Sequence, residues 1–323
     1  MKYNSSFIIF FIFLVLGILI SLNSISWLGC WLGIEINMVS YLPMMLEKTN
    51  MYSSESMIKY FIIQSIGSSL FFMSIIFIDM FMVIHIMLIS LLIKIGCPPF
   101  HYWYISVMYG LSWMLSFVLM TIQKIIPVLM VSYLECGLEL YVVTSGIWGC
   151  MGGLCYSSIR KIMGYSSIYN LSWIFGGMLI NNYSWMIYFL IYSLTLLLIC
   201  NLMSNHNINY LNQLFLFSSS IFKSILMLMI FLSMSGLPPF VGFLPKFMVI
   251  SGLLSMNMSL LSLFLLMTAL LTLFFYLRIA MTGLMINFYS ISTLCLKIDW
   301  YSYTMGYFLL FGMILLNLIS IWF

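Results

Sequence analysis

Long apolar runs follow one another along the whole chain, separated by short polar punctuation. About 20 consecutive apolar residues span the hydrocarbon core of a bilayer, so such runs predict membrane-crossing helices. They fall at 5–23, 26–45, 57–78, 82–95, 112–133, 138–157, 165–180, 184–203, 221–254, 259–280 and 303–323, eleven in all. None alternates with period two, which argues against barrel strands and for an all-α polytopic membrane helix bundle. Lys2 followed by the run 7–22 has the outline of a signal peptide. The run is long enough to span, and Ser21-Leu-Asn-Ser-Ile-Ser26 lacks a small-x-small cleavage pattern, so it reads as the first span.

Prolines break or end three of the later runs. The run 221–254 is too long for one simple span and carries Gly236-Leu237-Pro238-Pro239 at its middle. Two consecutive prolines remove two amide donors and free the carbonyls four residues earlier, so the helix must break there. Broken backbone at membrane depth persists only inside protein or against water. The fourth run ends in the same way, at Gly96-Cys97-Pro98-Pro99. The fifth contains Pro127, which frees the carbonyl of Gln123 and predicts a kink there.

Composition narrows the class further. Of 323 residues, 64% are hydrophobic and 6% charged, and the mean hydropathy is +1.17. A soluble domain carries about 25% charged residues. So little charge cannot cover a wetted globule, which excludes a soluble enzyme, a nucleic-acid binder and a disordered chain. The net charge of +4 is no nucleic-acid footprint, because the eleven Lys and Arg are scattered over the full length. The seven cysteines form no CxxC and read as small buried hydrophobes, and His85, His101 and His206 are too dispersed for metal or haem. Two alanines against thirty methionines suggest an AT-rich organelle genome.

Charge placement tests the span count. With eleven alternating spans, Lys2, Lys48, Lys59, Arg160, Lys161, Lys223, Arg278 and Lys297 fall on one side, whereas Asp79, Glu135 and Glu139 fall on the other. The positive-inside rule then puts the N-terminus on the matrix or cytosolic side and the C-terminus opposite.

Four ionisable residues remain inside spans. Glu35 lies about 14 Å from the start of the second run, near the midplane. Lys94 precedes the first proline pair, Lys124 precedes Pro127 by three residues, and Lys246 follows the second proline pair. A charge at such depth costs about 2.5–3.5 kcal/mol on insertion scales. Each has a bland reading as well. Lys94 could snorkel, Glu35 could sit protonated on a carbonyl, and Lys124 and Lys246 could satisfy carbonyls freed at their prolines. His101, just after the first break, could donate to a carbonyl or act as a proton relay. The glycine pairs 152–153 and 176–177 read as close helix packing. With no nucleophilic triad, phosphate loop or metal cluster in view, a buried carboxylate and three buried lysines point to proton handling. Such groups can exist in either protonation state near neutral pH. An oppositely charged pair about 7 Å apart at a dielectric near 20 is worth roughly 2.4 kcal/mol. A membrane potential of about 150 mV corresponds to roughly 3.5 kcal/mol per charge. The two are comparable, so making or breaking a pair could move a proton against much of that potential.

At these residues the chain resembles a known family. The motifs are Lys94-Ile-Gly-Cys-Pro-Pro-Phe-His-Tyr-Trp103, Gln123-Lys124-Ile-Ile-Pro127, Arg160-Lys161-Ile-Met-Gly-Tyr-Ser-Ser167 and Gly236-Leu-Pro-Pro-Phe-Val-Gly-Phe-Leu-Pro-Lys246. In order and content they resemble the NADH dehydrogenase subunit 2 family, antiporter-like membrane subunits of respiratory complex I, in its short animal mitochondrial form. The likeness runs from about residue 25 to 260, and the last two spans match only in hydropathy.

The resemblance implies a single transmembrane domain over 1–323 with N-terminal helices in 5–56, two inverted repeats over 57–157 and 165–280, each with a discontinuous helix, and a C-terminal helix over 303–323. It implies that Glu35 and Lys94 form a switchable pair, that Lys124 passes protons along a hydrated axis, and that Lys246 serves a neighbouring antiporter-like subunit. Other complex I membrane subunits and the lipid bilayer are the implied partners. FMN, iron–sulfur clusters and ubiquinone are expected in other subunits and none in this chain, with bound phospholipid left open. The implied location is the mitochondrial inner membrane, N-terminus in the matrix and C-terminus in the intermembrane space. One departure stands out. Tyr104-Ile-Ser106 replaces an acidic group that relatives usually keep beside His101, which weakens a relay role for that histidine. A cation/proton antiporter subunit and a non-pumping structural subunit are the alternatives that the residues leave open.

Overall fold

A computed structural model describes residues 5–46, 50–78, 83–134, 137–180, 183–214 and 221–284. The run 303–323 and residues Lys2, Lys48, Asp79, Glu135 and Lys297 lie outside them. The described chain is helical almost throughout, with an isolated antiparallel bridge between Ser158 and Tyr210. It divides into two compact units, Met1–Gly137 and Leu138–Phe323.

The first unit contains α1 (Ser5–Asn23), α2 (Trp27–Met45), α3 (Met51–Ile76), α4 (Val83–Ile95), α5 (Tyr102–Gly110), α6 (Trp113–Met120) and α7 (Ile122–Leu134). The Ser26 hydroxyl caps α2 by accepting from the Gly29 amide, and Asn50 Oδ1 caps α3 by accepting from Tyr52. α3 starts earlier than the hydropathy predicts, so Glu55 lies within the helix and pairs with Lys59 one turn on at 2.5 Å. α5 is an element that the sequence reading left unassigned. Nine residues are too few to register as a span, yet α5 carries the chain from the break back to the start of α3, where a Cβ on Gly110 would come 2.5 Å from the Tyr52 carbonyl. α4, the break and α5 together form one discontinuous crossing.

The kink expected at Pro127 lies six residues upstream, at Thr121. α6 ends at Met120, Thr121 takes φ −117° and ψ −76° with its hydroxyl on the Phe117 carbonyl, and α7 restarts at Ile122 with Pro127 inside it. Restarting there places the Gln123 carbonyl, which the Pro127 ring would otherwise strike, in the loose first turn of a new helix.

The second unit contains α8 (Leu138–Cys155), α9 (Ile159–Ile180), α10 (Ser184–His206), the single turn α11 (Leu211–Leu214), α12 (Ile221–Ser235), α13 (Phe243–Ser255) and α14 (Ser259–Leu284). α9 is its core. From Ile162 to Gly177 every residue is buried, including Ser166, Ser167, Asn170 and Ser172, so its polar residues face protein rather than lipid. α8 lies close along it, since a Cβ on Gly149 would come within 2.6 Å of the Tyr169 backbone. This is the close approach that small residues permit in membrane bundles. Arg160 and Lys161 begin α9, and Arg278 reaches from α14 to the carbonyls of Gly153 (3.3 Å), Leu154 (2.9 Å) and Tyr156 (3.0 Å) at the end of α8. All three cations therefore share one end of this unit. Glu139, in the first turn of α8, lines a groove with Asn257 and Ser259 at the other end. Within this unit, the separation of basic and acidic residues agrees with alternating crossings.

The surface is apolar. α14 exposes Leu260, Leu263, Leu266, Met267, Leu270 and Phe274 while burying Phe275, Tyr276 and Ile279. Six helical stretches among the described residues are long and apolar enough to cross a membrane, and the protein is a multi-pass membrane protein.

Candidate functional site

The two breaks are built alike. Gly96 and Gly236 take φ of +77° and +80°, a left-handed conformation open to glycine. The next amide, of Cys97 or Leu237, turns back to the carbonyl of Leu92 (3.0 Å) or Leu232 (3.5 Å), which closes a Schellman-type cap. The prolines follow, and the amides of Phe100 and Phe240 bond the carbonyls of Cys97 and Leu237 at 2.9 and 3.0 Å. A Gly-x-Pro-Pro-Phe sequence thus ends α4 and α12 in the same way. The lysines, however, stand differently. Lys94 is in the last turn of α4, before its break, whereas Lys246 is in the first turn of α13, after its break.

In the first unit, Pro98 deprives the Lys94 carbonyl of its helical amide, and Gln64 Nε2 of α3 supplies a replacement at 3.1 Å. The Lys94 side chain is buried and its stem crosses α3 at Gly67, where a Cβ would come 2.9 Å from Lys94 Cγ. Burial of the whole residue replaces the snorkelling alternative. Glu35 of α2 is half-buried. It acts electrostatically on Lys94 and on Tyr60, but no hydrogen bond or ion pair within 4.0 Å joins it to Lys94 among the described residues.

Lys124, in the first turn of α7, is buried with Nζ 4.5 Å from the centre of the Tyr104 ring and within electrostatic range of Cys97 in the break. The cation–π contact offsets part of the desolvation. A hydrogen-bonded chain ties its neighbourhood to the helices of Glu35 and Gln64. Tyr60 Oη donates to Gln123 Oε1 at 3.1 Å, and Gln123 Nε2 donates to Asn37 Oδ1 at 3.0 Å. His101, buried at the start of α5, stacks on Tyr102 with 4.3 Å between ring centres and lies against the Pro99 carbonyl.

In the second unit, Pro238 and Pro239 orphan the carbonyls of Met234 and Ser235. Lys246 Nζ donates to both, at 3.2 and 2.7 Å. The Tyr169 and Trp173 rings flank the same amine, each with its centre 5.6 Å away. Gly236 admits the lysine stem, because a Cβ there would lie 2.7 Å from Lys246 Cδ. Trp173 stacks on Tyr188 (6.3 Å, 4° between planes), and Tyr188 Oη donates to Asn170 Oδ1 at 2.7 Å.

Glu35, Lys94 and Lys124 are thus gathered in one unit around the first break, and Lys246 occupies the second. Sequence reasoning passed over the amides Asn37, Gln64, Gln123 and Asn170 that surround them. Their signal was present, since an uncharged amide inside an apolar run must find a partner.

The transmembrane profile described as NADH:quinone oxidoreductase/Mrp antiporter matches residues 77–272. The NADH-ubiquinone oxidoreductase chain 2 of Anopheles gambiae is 40% identical over 87% of this chain and 86% of its own length. That of Aedes aegypti is 38% identical over 96% and 97%, and that of Bos taurus 32% identical over 90% and 89%. The fold is similar to a chain of respiratory complex I from Thermus thermophilus, with a TM-score of 0.85 at 19% identity over 97% of this chain and 79% of that one. It is also similar to a chain of the Mrp complex from Dietzia, with a TM-score of 0.71 at 13% identity over 84% and 59%. On this evidence the chain belongs to the NADH-ubiquinone oxidoreductase chain 2 family of antiporter-like membrane subunits.

Proposed function

We propose that the protein takes part in proton translocation as a membrane subunit of a proton-pumping NADH:ubiquinone oxidoreductase in the mitochondrial inner membrane. Electron transfer occurs in other subunits, which hold FMN, iron–sulfur clusters and ubiquinone, and this chain carries no redox centre. Glu35 and Lys94 act as a pair whose charges are made and discharged in turn. Lys124 passes protons past the first break, and Lys246 exchanges them with a neighbouring antiporter-like subunit. His101 is at most an accessory relay. The N-terminus faces the matrix and the C-terminus the intermembrane space, which follows from the one-sided placement of Lys and Arg.

One observation carries the reading: each of three buried lysines sits at a helix discontinuity, where backbone polar groups are exposed inside an otherwise apolar bundle. The pairing of Lys94 with Glu35 at a distance supports a reversible charge pair in place of a fixed salt bridge. The complex carrying Glu35→Gln or Lys94→Met, reconstituted in liposomes, is expected to lose NADH-driven proton uptake. Normal uptake in assembled variants rules out these roles.

One contact favours a second, purely structural reading, namely the two carbonyls held by Lys246. Lys246→Arg separates the two. Arginine can donate to both carbonyls yet stays protonated, so it satisfies a structural site and blocks a proton-transfer site. Assembly with impaired pumping supports transfer, and normal pumping supports structure.

A further inference from the structure

Two hydrogens of the Lys246 amine are held in place. Nζ donates to Ser235 O at 2.7 Å and Met234 O at 3.2 Å, the two carbonyls that the proline pair leaves without amides. An ammonium has three N–H groups and a neutral amine has two and a lone pair. Both forms therefore satisfy both carbonyls. Only the third position on nitrogen changes when a proton leaves, so the cap that holds the helix end need not break during transfer.

Beside this amine lies a small pocket of about 20 Å³, where Asn170, Tyr188, Tyr192, Thr195, Ser233 and Lys246 bring polar groups into an otherwise apolar lining. That is room for about one water. The pocket's hydrogen-bonding groups are asymmetric. Asn170 is 3% exposed, and Tyr188 occupies its Oδ1, which sets the direction of the amide. Its Nδ2 is buried and finds no acceptor among the described residues. The Thr195 and Ser233 hydroxyls direct their hydrogens to the carbonyls of Tyr192 (2.8 Å) and Ile230 (2.6 Å), which leaves oxygen lone pairs. The lining thus offers a donor from Asn170, acceptors from two hydroxyls, and a lysine that can be either.

We propose that Asn170, oriented by Tyr188, is a positioning residue that holds one water in this pocket as the immediate proton partner of Lys246. The water accepts from Asn170 Nδ2 and donates to a hydroxyl. In the transfer step, the ammonium gives its third proton to the water oxygen as that water releases one of its own to a second, mobile water beyond the pocket. The nitrogen keeps its electron pair, and the bound water, again with two hydrogens, turns one of them toward it. This assignment rests on the proton-translocation reading.

The test uses the intact complex in liposomes, with rates normalised to assembled enzyme. Asn170→Leu fills the pocket and removes the donor. NADH-driven proton uptake is expected to fall about tenfold, the effect of losing one well-made buried hydrogen bond. Asn170→Ser keeps a polar group and space for water, and is expected to retain most of the native rate. Native uptake in Asn170→Leu overturns the proposal, and so does an equal loss in both variants. Lys246→Arg is measured alongside. If it pumps normally, the underlying reading fails at Lys246. If it is blocked while Asn170→Leu is native, only the pocket assignment fails. Should Asn170→Leu not assemble, a high-resolution map of the native complex decides. Water density within hydrogen-bond reach of both Lys246 Nζ and Asn170 Nδ2 supports the proposal, and a dry pocket overturns it.

Discussion

Gln64 donates its side-chain amide to the main-chain carbonyl of Lys94 at 3.1 Å, across from α3 to the end of α4. That carbonyl is the one Pro98 leaves without a helical partner. In the second unit the equivalent carbonyls are met by a lysine ammonium. One backbone device therefore has two solutions. At the first break a neutral amide meets the carbonyl without the Lys94 amine, whereas at the second break the titratable group itself closes the helix end.

Gln64→Leu should destabilise the protein by about 1–3 kcal/mol, because it leaves a buried carbonyl without a donor. The Lys94 side chain is untouched by this change. A lowered thermal midpoint of the assembled complex checks it, and an unchanged midpoint shows that the bond is dispensable.

Gly67→Ala places a methyl 2.9 Å from Lys94 Cγ, in a helix interior where alanine is otherwise favourable. The flexible lysine stem should yield before the backbone does. Assembly is expected to survive and proton uptake to fall. Gly236→Ala is expected to be harsher, since it adds about 1–2 kcal/mol of left-handed strain to a contact 2.7 Å from Lys246 Cδ. Quantifying assembled complex beside its proton uptake separates the two outcomes.

Arg278 holds the end of α8 through three carbonyls, a contact that couples helices more than 120 residues apart in sequence. Arg278→Met should lose about 1–3 kcal/mol of stability. Arg278→Lys should recover only part of it, because an ammonium lacks the planar fork. In the fraction that assembles, protons moved per electron should match the native protein. A change in that ratio would mean that Arg278 belongs to the transfer path.

Glu35 and Lys94 interact through space, so their removal should not be additive. Glu35→Gln and Lys94→Met are each expected to slow coupled turnover, and the double variant should be no slower than the slower single variant. Strict multiplication of the two defects would show that they act separately.

Much of the fold was legible in the chain because the bilayer enforces a simple rule, namely a run of about twenty apolar residues for each crossing. That rule fails where protein replaces lipid as the surroundings. α5 is a nine-residue half-helix and escaped notice, and α9 is longer than its apolar stretch because its first turns are packed against protein. Pro127 was read as the kink, but the chain bends at Thr121, a choice made by the restart of α7 and invisible in residue type alone. The lysines were found because a charge in an apolar run is conspicuous. The uncharged amides that position them were not, since Asn37, Gln64, Gln123 and Asn170 reveal their purpose only through partners 18 to 86 residues away.

The central claim is that buried lysines at the helix breaks gain and lose protons during turnover. Infrared difference spectra of the intact complex with isotope-labelled lysine, recorded with and without NADH and quinone, test it directly. Lysine bands are expected to shift on turnover, with separate components vanishing in Lys94→Met, Lys124→Met and Lys246→Met. Turnover with full proton uptake and no change in any lysine band would contradict the account.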